Sequence, residues 1–97
     1  MFTSSSDGHL QAEMLLNLVR KNCYGGKHTA AENMFRGLDN RRLGKEGLKR
    51  ARNLANDLIK QGLILTKPTH YGLQVSLNPR KSQEIKKLIK EKLGFDV

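Results

Sequence analysis

The sequence predicts an α+β domain, and three observations predict it. Apolar residues recur at helical spacing over most of residues 9–61, the period changes to two-residue alternation over residues 63–77, and helical spacing returns after Asn78-Pro79. The order is helix, helix, helix, hairpin, helix: a three-helix core, a β-hairpin and a C-terminal helix. With 97 residues the chain makes one domain with a modest core. Residues 1–8 read as a flexible Ser-rich tail and residues 9–97 as the single domain.

The first helix is capped by Asp7 or a preceding serine and is expected to run to about Tyr24, where Gly25-Gly26 stops it. Leu10, Met14, Leu15, Leu16, Leu18 and Val19 cover most of its circumference, leaving Glu13, Asn17 and Arg20 as a polar stripe. Thr29 and Glu32 have the spacing of a capping box, which predicts a short second helix over about 30–36, with a short strand near Lys27-His28. The third helix is expected over about 44–61 after a link of about 37–43. Its apolar side is Leu48, Ala51, Leu54, Ala55, Leu58 and Ile59.

Leu63, Leu65, Leu73, Val75 and Leu77 then alternate around a turn-rich KPTHYG segment, as two antiparallel strands would. The predicted core joins Leu48, Ala51, Ala55, Leu58, Leu63, Leu73 and Val75 to Met14 and Leu18. Asn78 followed by Pro79 marks an N-cap and first helical position. The last helix carries Ile85, Leu88, Ile89 and Leu93 on a narrow face and ends at Gly94.

The formal net charge of +9 is concentrated in two blocks. Residues 36–52 carry seven Lys/Arg against Asp39 and Glu46, and residues 80–92 carry six against Glu84 and Glu91; the remaining residues balance. Cations gathered in this way suit a polyanion, because one phosphate backbone can pass them together. A solvated helix face is the bland alternative for either block, and the stronger one for the last helix.

A capped short helix, a basic third helix ending in QGLI, a hairpin directly after it and the segment HYGLQVSLNP together resemble the winged helix-turn-helix family of small archaeal and bacterial regulators. The resemblance covers roughly residues 9–79. The expected link of about 37–43 is longer than the three or four residues of a simple helix-turn-helix. The resemblance implies that the third helix enters the major groove and that the hairpin, as a wing, touches backbone or minor groove. Carried onto this chain, it makes Lys45, Glu46, Lys49, Arg50, Asn53 and Asn56 the outward side of the third helix and puts Arg50 and Asn53 in position to read bases, since arginine matches guanine and asparagine adenine. Lys45 and Lys49 would bind phosphates, with Arg41 and Arg42 where the helix begins and Arg52 at its edge. Lys67, His70 and Tyr71 would form the wing tip.

Double-stranded DNA is therefore the expected partner, for a transcriptional regulator or chromatin-associated factor. An RNA-associated basic domain and a protein-protein adaptor are the alternatives, the first disfavoured by the scarcity of aromatic residues. The broad apolar surface of the first helix and the stripe of the last make a homodimer a possible assembly. Cys23 and His28 lack further ligands at zinc spacing, and there is no P-loop, dinucleotide fingerprint or catalytic dyad. The expectation is a non-enzymatic protein without metal or cofactor. No apolar run approaches the roughly 20 residues of a membrane span. A lone cysteine and no signal-peptide pattern fit a reducing, cytoplasmic location, at the nucleoid if the chain binds DNA.

Overall fold

The computed structural model describes residues 7–38 and 40–97, and the side chains of residues 40–45 lie outside the described set. Among the described residues the order is α1 (Asp7–Arg20), β1 (Thr29–Ala30), a 3-10 helix (Ala31–Phe35), α2 (Asn40–Lys60), β2 (Ile64–Thr69), β3 (Gly72–Leu77), a 3-10 turn (Pro79–Lys81) and α3 (Ser82–Leu93). The three strands form one antiparallel sheet with β3 in the middle, in the order β1-β3-β2. This is a small α+β domain in which α1 packs against α2, α3, the 3-10 helix and β3.

α1 begins inside the stretch expected to be tail and stops before Tyr24. Its end is fixed by Asn22, whose φ of 55° is left-handed. The Cys23 N–H donates to the Leu18 carbonyl at 3.1 Å and the Asn22 N–H to Val19 at 2.9 Å. This double bond closes a helix as effectively as glycine does, because asparagine tolerates the left-handed region. The freed segment 23–25 joins the sheet base instead: Leu77 N–H donates to Cys23 at 2.7 Å and Gly25 N–H to Leu77 at 2.9 Å.

The Thr29/Glu32 capping box does not form. Thr29 is in β1, opposite Val75, and its hydroxyl accepts from Asn33 Nδ2 at 2.7 Å. The 3-10 helix has Ala30 at its N-cap position without a side-chain cap. Pairing with the central strand satisfies backbone groups that the box would have served, so the strand falls two residues later than expected. α2 starts at Asn40, which shortens the link behind the 3-10 helix to residues 36–39. Two α1 side chains fix these parts relative to one another. Gln11 Nε2 donates to Leu54 O of α2 at 3.1 Å, and Asn17 Nδ2 donates to the carbonyls of Met34 at 2.8 Å and Arg36 at 2.6 Å.

α2 is closed by Gly62, with φ 79°, through the same pair of hydrogen bonds that closes α1: Gly62 N–H donates to Ile59 O and Leu63 N–H to Leu58 O, both at 3.0 Å. Leu63 belongs to that cap, so the strand begins one residue later and its phase is inverted. Ile64 is inside at 1% exposure, whereas Leu65 is 36% exposed. The strands also continue through Lys67-Pro68-Thr69, leaving a two-residue turn at His70-Tyr71. Pro68 is tolerated because β2 is an edge strand. Leu73, expected in the core, is 43% exposed, because it pairs with Pro68 on the part of the hairpin that extends toward the tip. The rest of the predicted core is buried, except Leu48, which is half-buried.

The last helix follows the sequence pattern except at its start. Asn78 accepts from Arg80 N–H with Pro79 at the first position, but it caps the 3-10 turn; α3 itself starts at Ser82, three residues later than expected, behind Lys81 without a side-chain cap, and Gly94 closes it with φ 83°. Ile85 and Ile89 are fully buried, with Leu88 and Leu93 packed beside them. α3 lies on α1, so the two apolar surfaces that suggested a homodimer cover each other within one chain.

Asn78 has a second role, since its Nδ2 donates to Gly62 O at 2.8 Å and its backbone N–H to Leu63 O at 3.0 Å. Asn78→Ala should therefore lower unfolding free energy by about 1–2 kcal/mol through loss of a cap and of a corner bond. Asn78→Asp should recover the part due to the cap alone. A urea titration with an unchanged midpoint for Asn78→Ala would contradict this.

Candidate nucleic-acid interface

α2 buries Ala51, Leu54, Ala55 and Leu58, and the opposite side is decided by the 3.6-residue turn. Lys49, Arg52, Asn53, Asn56 and Lys60 are all exposed and recur at steps of three, four and seven, so they form one stripe. From Lys49 to Lys60 it spans about 16 Å at 1.5 Å per residue. Glu46, Arg50 and Asp57, also exposed, recur at steps of four and seven along one flank. The helix is thus polarised across its width, with cations and amides along its outward line and both exposed acids to one side.

Arg50 belongs to that acidic flank. Its Nε donates to Asp7 Oδ1 at 2.7 Å, and its Nη2 reaches the same oxygen, tying α2 to the first turn of α1. The residue expected to read bases is engaged with a carboxylate 43 positions away. Asn53, its expected companion, stays exposed on the outward stripe. The side chains of Arg41, Arg42 and Lys45 lie outside the described residues; the α2 backbone runs through all three. Asn56, expected on the outward side, is exposed there, and Lys60 joins the stripe through helical spacing. Sequence reasoning could have found Lys60 by extending the Lys49/Asn53 spacing by one further step of seven.

The hairpin stands beside the stripe. A cleft of about 280 Å³ is walled by Met34, Phe35, Ala55, Leu73 and Val75, with Arg52 and Asn56 also on its lining. Two members of the α2 stripe therefore border the same cleft as the exposed Leu73 of β3. Farther out, Lys67, His70 and Tyr71 are exposed. Thr69 Oγ1 accepts from Tyr71 N–H at 3.1 Å and donates to Gly72 O at 2.7 Å. Gly72, with φ 114°, supplies the conformation that L side chains rarely adopt.

The C-terminal basic block lies on α3. Lys81 pairs with Glu84 at 3.4 Å and Lys90 with Asp96 at 3.1 Å, while Lys86, Lys87 and Lys92 are exposed. Cys23 is buried, His28 is half-buried, and His9 faces Glu13 at 2.7 Å. Among the described residues no cluster of three or more His, Cys, Asp or Glu could hold a metal ion, and no helix is long and apolar enough to cross a membrane. Comparison with protein-family models, with curated proteins and with solved structures finds no match.

The Arg50–Asp7 contact joins partly exposed side chains, so its coupling should be about 0.2–1 kcal/mol, declining with salt. A double-mutant cycle on Asp7→Asn and Arg50→Gln, read by urea unfolding at low and high salt, measures it. Zero coupling at low salt would contradict the placement of Arg50.

Proposed function

We propose that the chain is a winged helix-turn-helix domain that binds double-stranded DNA, with α2 as the recognition helix and the β2-β3 hairpin as the wing. The observation that carries this reading is the exposed Lys49-Arg52-Asn53-Asn56-Lys60 stripe bordering the same cleft as the hairpin. Element order and the β1-β3-β2 sheet support it. So does the short link of residues 36–39, which is of helix-turn-helix length; the 3-10 helix stands where that motif has its first helix.

The charge polarity of α2 supports one orientation for the duplex. Glu46 and Asp57 repel phosphates on one flank; on the other, Arg52 faces the acid-free hairpin across one cleft and shares a second with the carboxylate-bearing Glu32. A major groove about 12 Å wide admits the helix with its outward stripe leading. Asn53 and Asn56 are then the base readers, each able to pair with an adenine edge. Lys49, Arg52 and Lys60 serve phosphates, with Lys67 at the wing. Arg50 acts through α1, holding the helix in place.

Binding to a matched 20-base-pair DNA duplex, RNA duplex and single strand, titrated against salt, tests the proposal. Lys49, Arg52, Lys60 and Lys67 alone imply a log-log salt slope of about −3 to −4 on duplex DNA. Lys49→Ala should reduce that slope by about 1 for every sequence. Asn53→Ala should instead cost about 1–3 kcal/mol mainly on the preferred sequence. Equal or tighter binding to duplex RNA, or duplex binding that survives loss of Lys49, Arg52, Asn53 and Lys60 together, would overturn the reading.

A further inference from the structure

Tyr71 projects from the hairpin turn with 98% of its surface in solvent. A tyrosine ring is a large apolar payload that folding ordinarily uses, and the other tyrosine, Tyr24, is packed against the core. The ring of Tyr71 contributes nothing comparable to the fold. Its position is nevertheless well defined. The Thr69 hydroxyl bonds to Tyr71 N–H and to Gly72 O across the turn, Pro68 restricts the backbone just before it, and the Thr69–Gly72 pair closes the ladder. A ring presented on a braced turn loses less entropy on binding than one on a loose loop.

Electrostatics narrows the occupant. The sequence has no acidic residue between Asp57 and Glu84, so the whole hairpin is free of negative charge, and Lys67 and His70 are exposed on it. A polyanion therefore meets no acid of the hairpin at this tip. A lipid surface is less well matched, because the exposed Leu65 and Leu73 pair with Ser76 and Pro68 respectively and so fall on opposite faces of the hairpin. No one-sided apolar patch accompanies Tyr71.

We infer that Tyr71 is a base-stacking site, its ring taking the open face of an unpaired or unstacked nucleobase. The chain then prefers duplex DNA interrupted by a bulge, nick or single-strand junction over intact duplex, where every base face is already covered. The inference rests on the DNA-binding reading and names the form of DNA that the wing selects. Stacking of one base on an aromatic side chain corresponds to about five- to a hundredfold in affinity.

The chain has two tyrosines and no tryptophan, which provides a direct readout. In full-length Tyr24→Phe, ring emission reports Tyr71 alone, and it should be quenched on titration with a duplex carrying a one-base bulge. In the unaltered chain the bulged duplex should bind about five- to a hundredfold tighter than the intact one. Tyr71→Phe should retain that ratio, and Tyr71→Ala should abolish it. Equal affinity for the two duplexes, or a preference that survives Tyr71→Ala, overturns the stacking site and leaves duplex recognition by α2 standing. Quenching with single strands alone, without duplex binding, keeps the stacking site and overturns the duplex reading. Binding to no DNA overturns both.

Discussion

Three residues separate the end of α2 from the start of the hairpin, and the corner they form decides where the two parts of the proposed interface stand. Gly62 makes the corner geometrically possible, because its left-handed backbone lets the last helical carbonyls be capped within one turn. Asn78 then clamps it, bonding Gly62 O through its side chain and Leu63 O through its backbone. The same asparagine starts the turn into α3. Helix, hairpin and C-terminal helix therefore meet at one side chain, and the outward stripe of α2 keeps a defined relation to the hairpin. Below the corner, Val75, Ser76 and Leu77 of the central strand are fully buried, and the Ser76 hydroxyl donates to Gly25 O at 2.8 Å. That bond brings the segment after α1 onto the same seam.

The corner matters for function because α2 has sidedness. A uniformly basic helix would attract phosphate at any rotation. This one carries Glu46 and Asp57 on the flank where Arg50 meets Asp7, so its favourable approach is on the opposite flank, where Arg52 and Asn56 border the cleft beside the hairpin. Rotation of α2 by one residue would place acids along the line proposed for phosphates. The bond from Gln11 to Leu54 opposes such a rotation from the α1 side.

The parts of this arrangement that depend on local chemistry were legible in the sequence. The Asn78-Pro79 start, the Gly94 stop, the buried line of α2 and the existence of a hairpin all follow from spacing and from residues with special backbone properties. What escaped was set by tertiary competition. Thr29 has a cap's chemistry, yet pairing with Val75 placed it in a strand. Leu63 looks like the first inward strand residue, but the α2 cap uses it, and the alternation slips by one so that Ile64 turns inward. Asn22 ended α1 before the glycine pair could, since a left-handed asparagine carries no distinctive local signal. Arg50 illustrates the limit for site residues: periodicity puts it near the outward side, and its partner, Asp7, is too remote in sequence to be inferred.

The central claim is that the α2 stripe and the hairpin form a single DNA-facing surface while the basic α3 face remains a solvated one. Amide chemical-shift perturbation of the isotopically labelled chain on addition of a duplex tests it most directly, because every element is observed in one titration. The account predicts that the largest shifts fall at Lys49, Arg52, Asn53, Asn56 and Lys60 and at Lys67, His70 and Tyr71, with Lys86, Lys87 and Lys90 of α3 little changed. Shifts concentrated on α3, with the α2 stripe silent, would contradict it and place the polyanion site on the C-terminal helix.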